Sequence, residues 1–313
     1  MRYRSDRYHP FQRPITSKKE EPIYKYFLIF EGESTERSYL NSLRGYPKKH
    51  PFVMVEKVGN EKGYTVLKKM IELADKINID PNANRRSYED VYSDIARELK
   101  SDGLKPLSES ALSKKLVSIH KSKHKEIPFD AVIEKSVLEE ILKEFEKFLD
   151  AQPLSVGNQA EELLNYSYPT FTKDFDKIGI IVDRDRQGCS DETFREEVIK
   201  GMEKGYRILL TNPDIEFWLL LHHKKDFTKE EKDDLLLGKL PRHSHTVSYE
   251  LLKNLDRGYT KGFSNSSDYV KKTKVACENA KNFASEPLEL VTHLGTCLGE
   301  FFGENLDFEP FKG

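Results

Sequence analysis

Two short apolar runs that end abruptly in carboxylates constrain this chain most. The first is Phe27-Leu28-Ile29-Phe30, followed by Glu31-Gly32-Glu33-Ser34-Thr35-Glu36. The second is Ile178-Gly179-Ile180-Ile181-Val182, followed by Asp183-Arg184-Asp185. Continuous apolar runs of this length predict strands buried on both faces, as in a parallel sheet with helices above and below. The expected fold class is therefore α/β. Carboxylates that follow such strands lie at the rim where open α/β sheets bind ligands. Two acidic rims on neighbouring strands suit a divalent cation, and Mg²⁺ held by a few carboxylates and substrate phosphates is a common arrangement for phosphoryl chemistry.

Bulk properties narrow the function classes. Charged residues make up 33% of 313 residues, yet the net charge is −2. A polycation that coats nucleic acid is excluded, and any nucleic-acid contact must come from local patches. Cys189, Cys277 and Cys297 are far apart without CxxC spacing, which fits a reducing compartment and no zinc ribbon. The first twenty residues are polar and basic, unlike a secretory signal, and no run approaches the roughly 18 apolar residues of a membrane span. A soluble cytoplasmic protein is expected. No GxxxxGK[ST] loop occurs, so ATP hydrolysis by this chain is not expected.

The pattern divides the chain into four stretches. Residues 1–22 read as a basic arm with Arg2, Arg4, Arg7, Arg13, Lys18 and Lys19, or as a plain terminus. Residues 23–60 form the first part of an α/β core, with strands at Tyr26–Phe30 and Phe52–Val58 and a helix from Ser34 to Leu43. Residues 61–165 read as a mainly helical insertion beside the sheet. A helical pattern around Tyr64–Ile77 opens it, a helix-turn-helix rhythm runs from Val91 to Ile119, and an amphipathic helix spans Val132–Leu149. Residues 166–313 resume the core. Strands are expected at Lys177–Val182 and Tyr206–Leu210, with a helix at Asp191–Lys204 that turns Phe194, Val198 and Met202 inward and closes at Gly205. Asn212 and Pro213 read as the N-cap and first residue of a buried helix, and further helices follow around Val247–Leu255, Asp268–Phe283 and Leu288–Phe302.

The candidate chemistry lies in the acids. Asp183 and Asp185, two residues apart on extended backbone, point the same way and can face one metal, or two metals about 4 Å apart. Glu31 directly follows buried residues. Glu36 falls in the first helical turn, where simple complementarity to the helix dipole also explains an acid. Glu216 sits among Phe217, Trp218, Leu219, Leu220 and Leu221, and such a carboxylate needs a metal or a basic partner. Between Arg97 and Lys125, eight Lys/Arg against three acids leave a local excess of +5. Lys114, Lys115, Lys121 and Lys123 are the candidate nucleic-acid contacts there. A solvated helix face or a protein-binding surface explains them equally. His222 and His223 end a buried helix, where a helix-end cation is expected. His243 and His245 have metal-compatible spacing in a loop.

Glu31-Gly-Glu-Ser-Thr-Glu36, Asp183-Arg-Asp185 and Thr211-Asn-Pro-Asp-Ile-Glu-Phe-Trp-Leu-Leu-Leu-His222 together resemble the three signatures of the RloB-like family. That family is related to the Toprim nucleases and occurs in bacterial defence loci. The resemblance covers residues 24–45 and 175–223, and more loosely the tail through Tyr259-Thr-Lys261 and Asn279-Ala-Lys281. It implies a Toprim-like central parallel sheet flanked by helices and a Mg²⁺- or Mn²⁺-dependent nuclease acting on DNA or a structured RNA such as tRNA. It also implies an effector role in antiphage defence with room for an ATPase partner. Carried over, Glu31 is a metal ligand or general acid/base, Asp183 and Asp185 are metal ligands, Glu36 and Glu216 complete a second site, and Lys261 is the cation aimed at the scissile phosphate. The alternative is a nucleic-acid-binding or scaffold subunit whose carboxylates are structural.

Overall fold

The computed structural model describes residues 24–31, 35–43, 46–56, 66–79, 87–101, 107–150, 171–184, 188–238, 245–260 and 266–308. Five strands form one sheet: β1 (Tyr26–Phe30), β2 (Phe52–Glu56), β3 (Lys177–Asp183), β4 (Arg207–Asn212) and β5 (Gly295–Thr296), in the order β2-β1-β3-β4-β5. The first four are parallel and β5 is antiparallel to β4. All five residues of β1 are buried, as expected of a strand covered on both faces. The apolar runs read from the sequence thus sit side by side at the centre of the sheet.

Helices cover both faces. On one face α2 (Val66–Ile79) and α6 (Asp191–Glu203) pack against each other and against β3 and β4. On the other lie α1 (Thr35–Leu43), α7 (Ile215–Leu220), α10 (Ser266–Ala280) and α11 (Leu298–Asn305). Tyr39, Trp218 and Phe302 meet edge-on there, with Phe52 stacked on Phe301. Two more helices, α8 (Lys229–Leu237) and α9 (Val247–Leu255), belong to this side of the chain and contact each other, and α9 also contacts α7. Between β1 and β3 the strand order reverses. α1 leaves β1 towards one face and α6 leaves β3 towards the other, so the carboxyl ends of these two strands are where sheets of this kind bind ligands.

Some boundaries differ from the sequence reading. α2 packs on the sheet, so the boundary at residue 61 falls before a helix that belongs with the core. Asn212 is the last residue of β4, not a cap: its side chain donates to the Leu290 carbonyl, and Asp214 caps α7 instead. The Asn212–Pro213 peptide bond is cis. Met202 is 43% exposed because the buried stripe of α6 runs through Phe194, Val198 and Gly201. Gly205 does close that helix, at φ +81°. The stretch Leu288–Phe302 is not one helix. It forms turns, the short strand β5 and the start of α11, because Gly295 brings the backbone against Ala284 and pairs with Asn212.

Three helices, α3 (Tyr88–Ser101), α4 (Glu109–Lys123) and α5 (Lys135–Asp150), form a second compact unit with its own core. Val91, Ile95 and Leu99 of α3 meet Leu112 and Leu116 of α4 and Leu138, Ile141 and Phe145 of α5. The buried His120 links these layers: the Tyr92 hydroxyl lies 2.6 Å from its Nδ1, and its Nε2 donates to the Ile127 carbonyl at 2.9 Å. That leaves Nδ1 to accept from Tyr92.

Candidate metal centre at the carboxyl edge of the sheet

The site grows out of the period-two geometry of β3. Asp183 pairs with Thr211 of β4 and is the last strand residue. One residue further, the Arg184 N–H still donates to the Thr211 carbonyl, so the extended backbone continues and the two side chains point to opposite faces. Arg184 is buried at 1% exposure. Its guanidinium donates to Asp191 Oδ1 at 2.6 Å and to the carbonyls of Cys189 and Val291, and lies over the Phe194 ring. It is a brace for α6. Asp183 is on the other face, towards α1 and α7.

There Asp183 meets other acids. Its carboxyl is raised well above the ordinary carboxylate range, first by burial and then by the negative charges of Glu36, Asp214 and Glu216. The Ile215 backbone N–H, which donates to it, works in the opposite sense. Glu36 comes from the first turn of α1, Asp214 is the N-cap of α7, and Glu216 lies in the first turn of α7 at 7% exposure. Two of the sequence candidates, Glu36 and Glu216, thus act electrostatically on a third, Asp183, as does Asp214, which the sequence reading did not single out.

Glu31 behaves differently. It is exposed just beyond β1. Asp185 and Lys261 lie outside the described residues.

The acids are held by hydroxyls. Asp214 Oδ1 accepts the Phe217 N–H, and its Oδ2 accepts from Ser248 at 2.6 Å. Glu216 Oε1 accepts from the Tyr259 hydroxyl at 3.1 Å, and that hydroxyl lies 3.4 Å from Thr35 Oγ1. Sequence reasoning missed Asp214, Ser248 and Tyr259. A signal existed for the first, because Asp214-Ile215-Glu216 after β4 repeats the Asp-x-acid spacing after β3. Ser248 and Tyr259 stand more than thirty residues from the acids they hold, so no local pattern marks them.

Behind the acids, His222 is buried and neutral. Its Nδ1 donates to the Trp218 carbonyl, and its Nε2 accepts from Tyr39 at 3.1 Å. Burial pushes its pKa down to about 3, so the helix-end cation expected from the sequence does not form. His245 stacks on Tyr249 with centroids 4.3 Å apart, and His243 lies outside the described residues.

Carboxylate oxygens are hard donors, the type that Mg²⁺ and Mn²⁺ take. Among the described residues, no three His, Cys, Asp or Glu side chains stand close enough to form a complete ligand set. Mg²⁺ does not require one: it is usually bound through one or two carboxylates and keeps several waters.

In the helical unit, the four candidate lysines are not equivalent. Lys123 pairs with Glu144 at 3.6 Å, Lys115 lies over the Phe148 ring and Lys121 over the Phe129 ring. Lys114, Ser118, Lys121 and Ser122 share one exposed face of α4. Among the described residues, Lys114, Lys121 and Lys125 pair with no carboxylate, whereas Lys143 and Lys147 on α5 pair with Glu139 and Glu144.

The model of the RloB-like protein family matches residues 26–298. The chain belongs to the RloB-like family. No curated protein and no solved structure matches it. The family match spans β1 to the start of α11, and so every acid named above. Among the described residues of this RloB-like chain, no helix is long and apolar enough to cross a membrane.

Proposed function

We propose that this RloB-like protein is a metal-dependent nuclease of Toprim-like architecture that hydrolyses phosphodiester bonds of DNA or structured RNA. The observation that carries the proposal is the placement of Asp183 at the reversal point of a parallel sheet, where the negative charges of Glu36, Asp214 and Glu216 act on it. Like charges brought together at a ligand-binding rim are costly unless a cation joins them. Asp183, with Glu36 or Glu216, would hold Mg²⁺ or Mn²⁺. A bound ion would supply charge stabilisation on the phosphate and a more acidic water.

The chain's own groups prepare the site. The Ile215 N–H donates to the Asp183 carboxyl, and the Tyr259 hydroxyl donates to Glu216. A carboxyl with raised proton affinity, such as Asp183, also suits proton uptake in a general acid/base step. Lys114 and Lys121 of α4, which pair with no carboxylate among the described residues, support phosphate contact in the helical unit. The motif resemblance supports the Toprim relation, a role as an effector in antiphage defence and an ATPase partner.

The deciding experiment incubates the purified chain with Mn²⁺ or Mg²⁺ and mixed DNA and RNA, beside Asp183→Ala. Cleavage that needs the metal and vanishes in Asp183→Ala supports the nuclease. Cleavage that persists with chelator, or in Asp183→Ala, removes the assigned centre. A chain with no metal-dependent cleavage and no metal-dependent thermal shift is instead a nucleic-acid-binding or scaffold subunit.

A further inference from the structure

We propose that Tyr259 is a positioning residue that fixes Glu216 for a divalent cation at the acidic cluster. The proposal rests on the reading that the cluster holds such a cation. Glu216 is 7% exposed, and its neighbours Phe217, Trp218 and Leu219 are fully buried. A carboxylate placed there requires hydrogen bonds to offset its lost hydration. Tyr259, 1% exposed, brings its hydroxyl to 3.1 Å from Glu216 Oε1. An ionised carboxylate only accepts, so the phenol must donate, and its oxygen is left to accept from Thr35 Oγ1 at 3.4 Å.

One hydroxyl therefore links two elements. Thr35 opens α1, next to Glu36, and Glu216 stands in the first turn of α7. These are the helices whose acids act electrostatically on Asp183. The phenol is itself fixed at both ends. Its ring lies against Tyr249 with centroids 5.6 Å apart. The Tyr259 N–H donates to the Asp256 carbonyl, and the Tyr259 carbonyl accepts from Lys253 Nζ at 3.0 Å. A rigid donor behind a carboxylate orients that carboxylate before the ion arrives, and loss of such outer partners costs metal affinity.

The test is Mn²⁺ affinity, measured by calorimetry on the full chain for wild type, Tyr259→Phe, Glu216→Gln and the double variant. Tyr259→Phe should bind Mn²⁺ on the order of 10- to 100-fold more weakly. Added to Glu216→Gln, the same change should alter affinity less than twofold, because its target carboxylate is gone. Wild-type affinity in Tyr259→Phe, or an equal loss in both backgrounds, would overturn the positioning role and leave the metal centre standing. Absence of Mn²⁺ binding by wild type would remove the centre and the positioning role with it. Should Tyr259→Phe fail to fold by circular dichroism, Thr35→Val carries the test. It removes the donor that feeds the phenol, and a smaller loss in the same direction is expected, with unchanged affinity overturning the role.

Discussion

Asp183→Asn should make the metal-free protein more stable while abolishing its response to metal. Asparagine matches aspartate in shape, and its carbonyl oxygen can still accept the Ile215 N–H. The substitution therefore removes one negative charge facing Glu36, Asp214 and Glu216 and changes little else. The folded carboxyl titrates above its unfolded value of 3.8. Its contribution to stability is thus fully present below pH 3.8 and is lost as pH rises through the raised folded value. At pH 7 without metal, where the carboxyl of the unfolded chain is ionised, the raised proton affinity in the fold costs stability. Relieving unfavourable charge commonly yields about 0.5–2 kcal/mol. For a unit of this size, 1 kcal/mol is worth about 2–4 °C, so Tm at pH 7 with chelator should rise by about 1–8 °C. The gain should shrink as pH falls towards 4. With Mn²⁺ at a hundred times its Kd, wild type should gain about 2.7 kcal/mol and overtake the variant, which gains little. The assay is a thermal melt across pH 4–8, with and without Mn²⁺. A variant less stable than wild type at pH 7 in chelator would refute the reasoning, since it would mean that Asp183 is neutralised by a cation of the chain itself.

Three further expectations follow from named contacts. His222 is neutral in the fold, so its contribution is present above pH 6.5 and lost as pH falls from 6.5 towards about 3. Urea titrations below pH 6.5 should show wild type losing up to about 1.4 kcal/mol per pH unit from this group, and His222→Gln should flatten that slope. Gly295→Ala should destabilise by about 1–3 kcal/mol, because the new Cβ would lie 2.0 Å from the Ala284 carbonyl oxygen; an unchanged Tm would show that the segment yields. Lys114→Glu/Lys121→Glu should weaken nucleic-acid binding and reduce the salt slope by about 2, while Lys143→Glu/Lys147→Glu, whose lysines are already paired, should do so much less. Equal effects of the two pairs would reduce α4 to an ordinary solvated face.

Local pattern carried the sequence reading where burial is decided by neighbours along the chain. Apolar runs at Tyr26–Phe30 and Ile178–Val182 are buried strands whichever partners they find, and Gly205 ends α6 because it alone there accepts a positive φ. The amphipathic stripes of α4 and α5 likewise mark their buried faces. Which acids meet depended on parity and pairing, which no single strand encodes. Register places Asp183 on the face of α1 and α7 and Arg184 on the face of α6. Asp214 became the cap of α7 because Asn212 was drawn into β4 and bonded to Leu290. Tyr259 and Ser248 reached the acids only through the packing of α9 and the turn after it. Long-range contacts of this kind leave no periodic trace, because a hydroxyl is placed by the fold of the chain between it and its partner, and only the tertiary structure brings the two ends together.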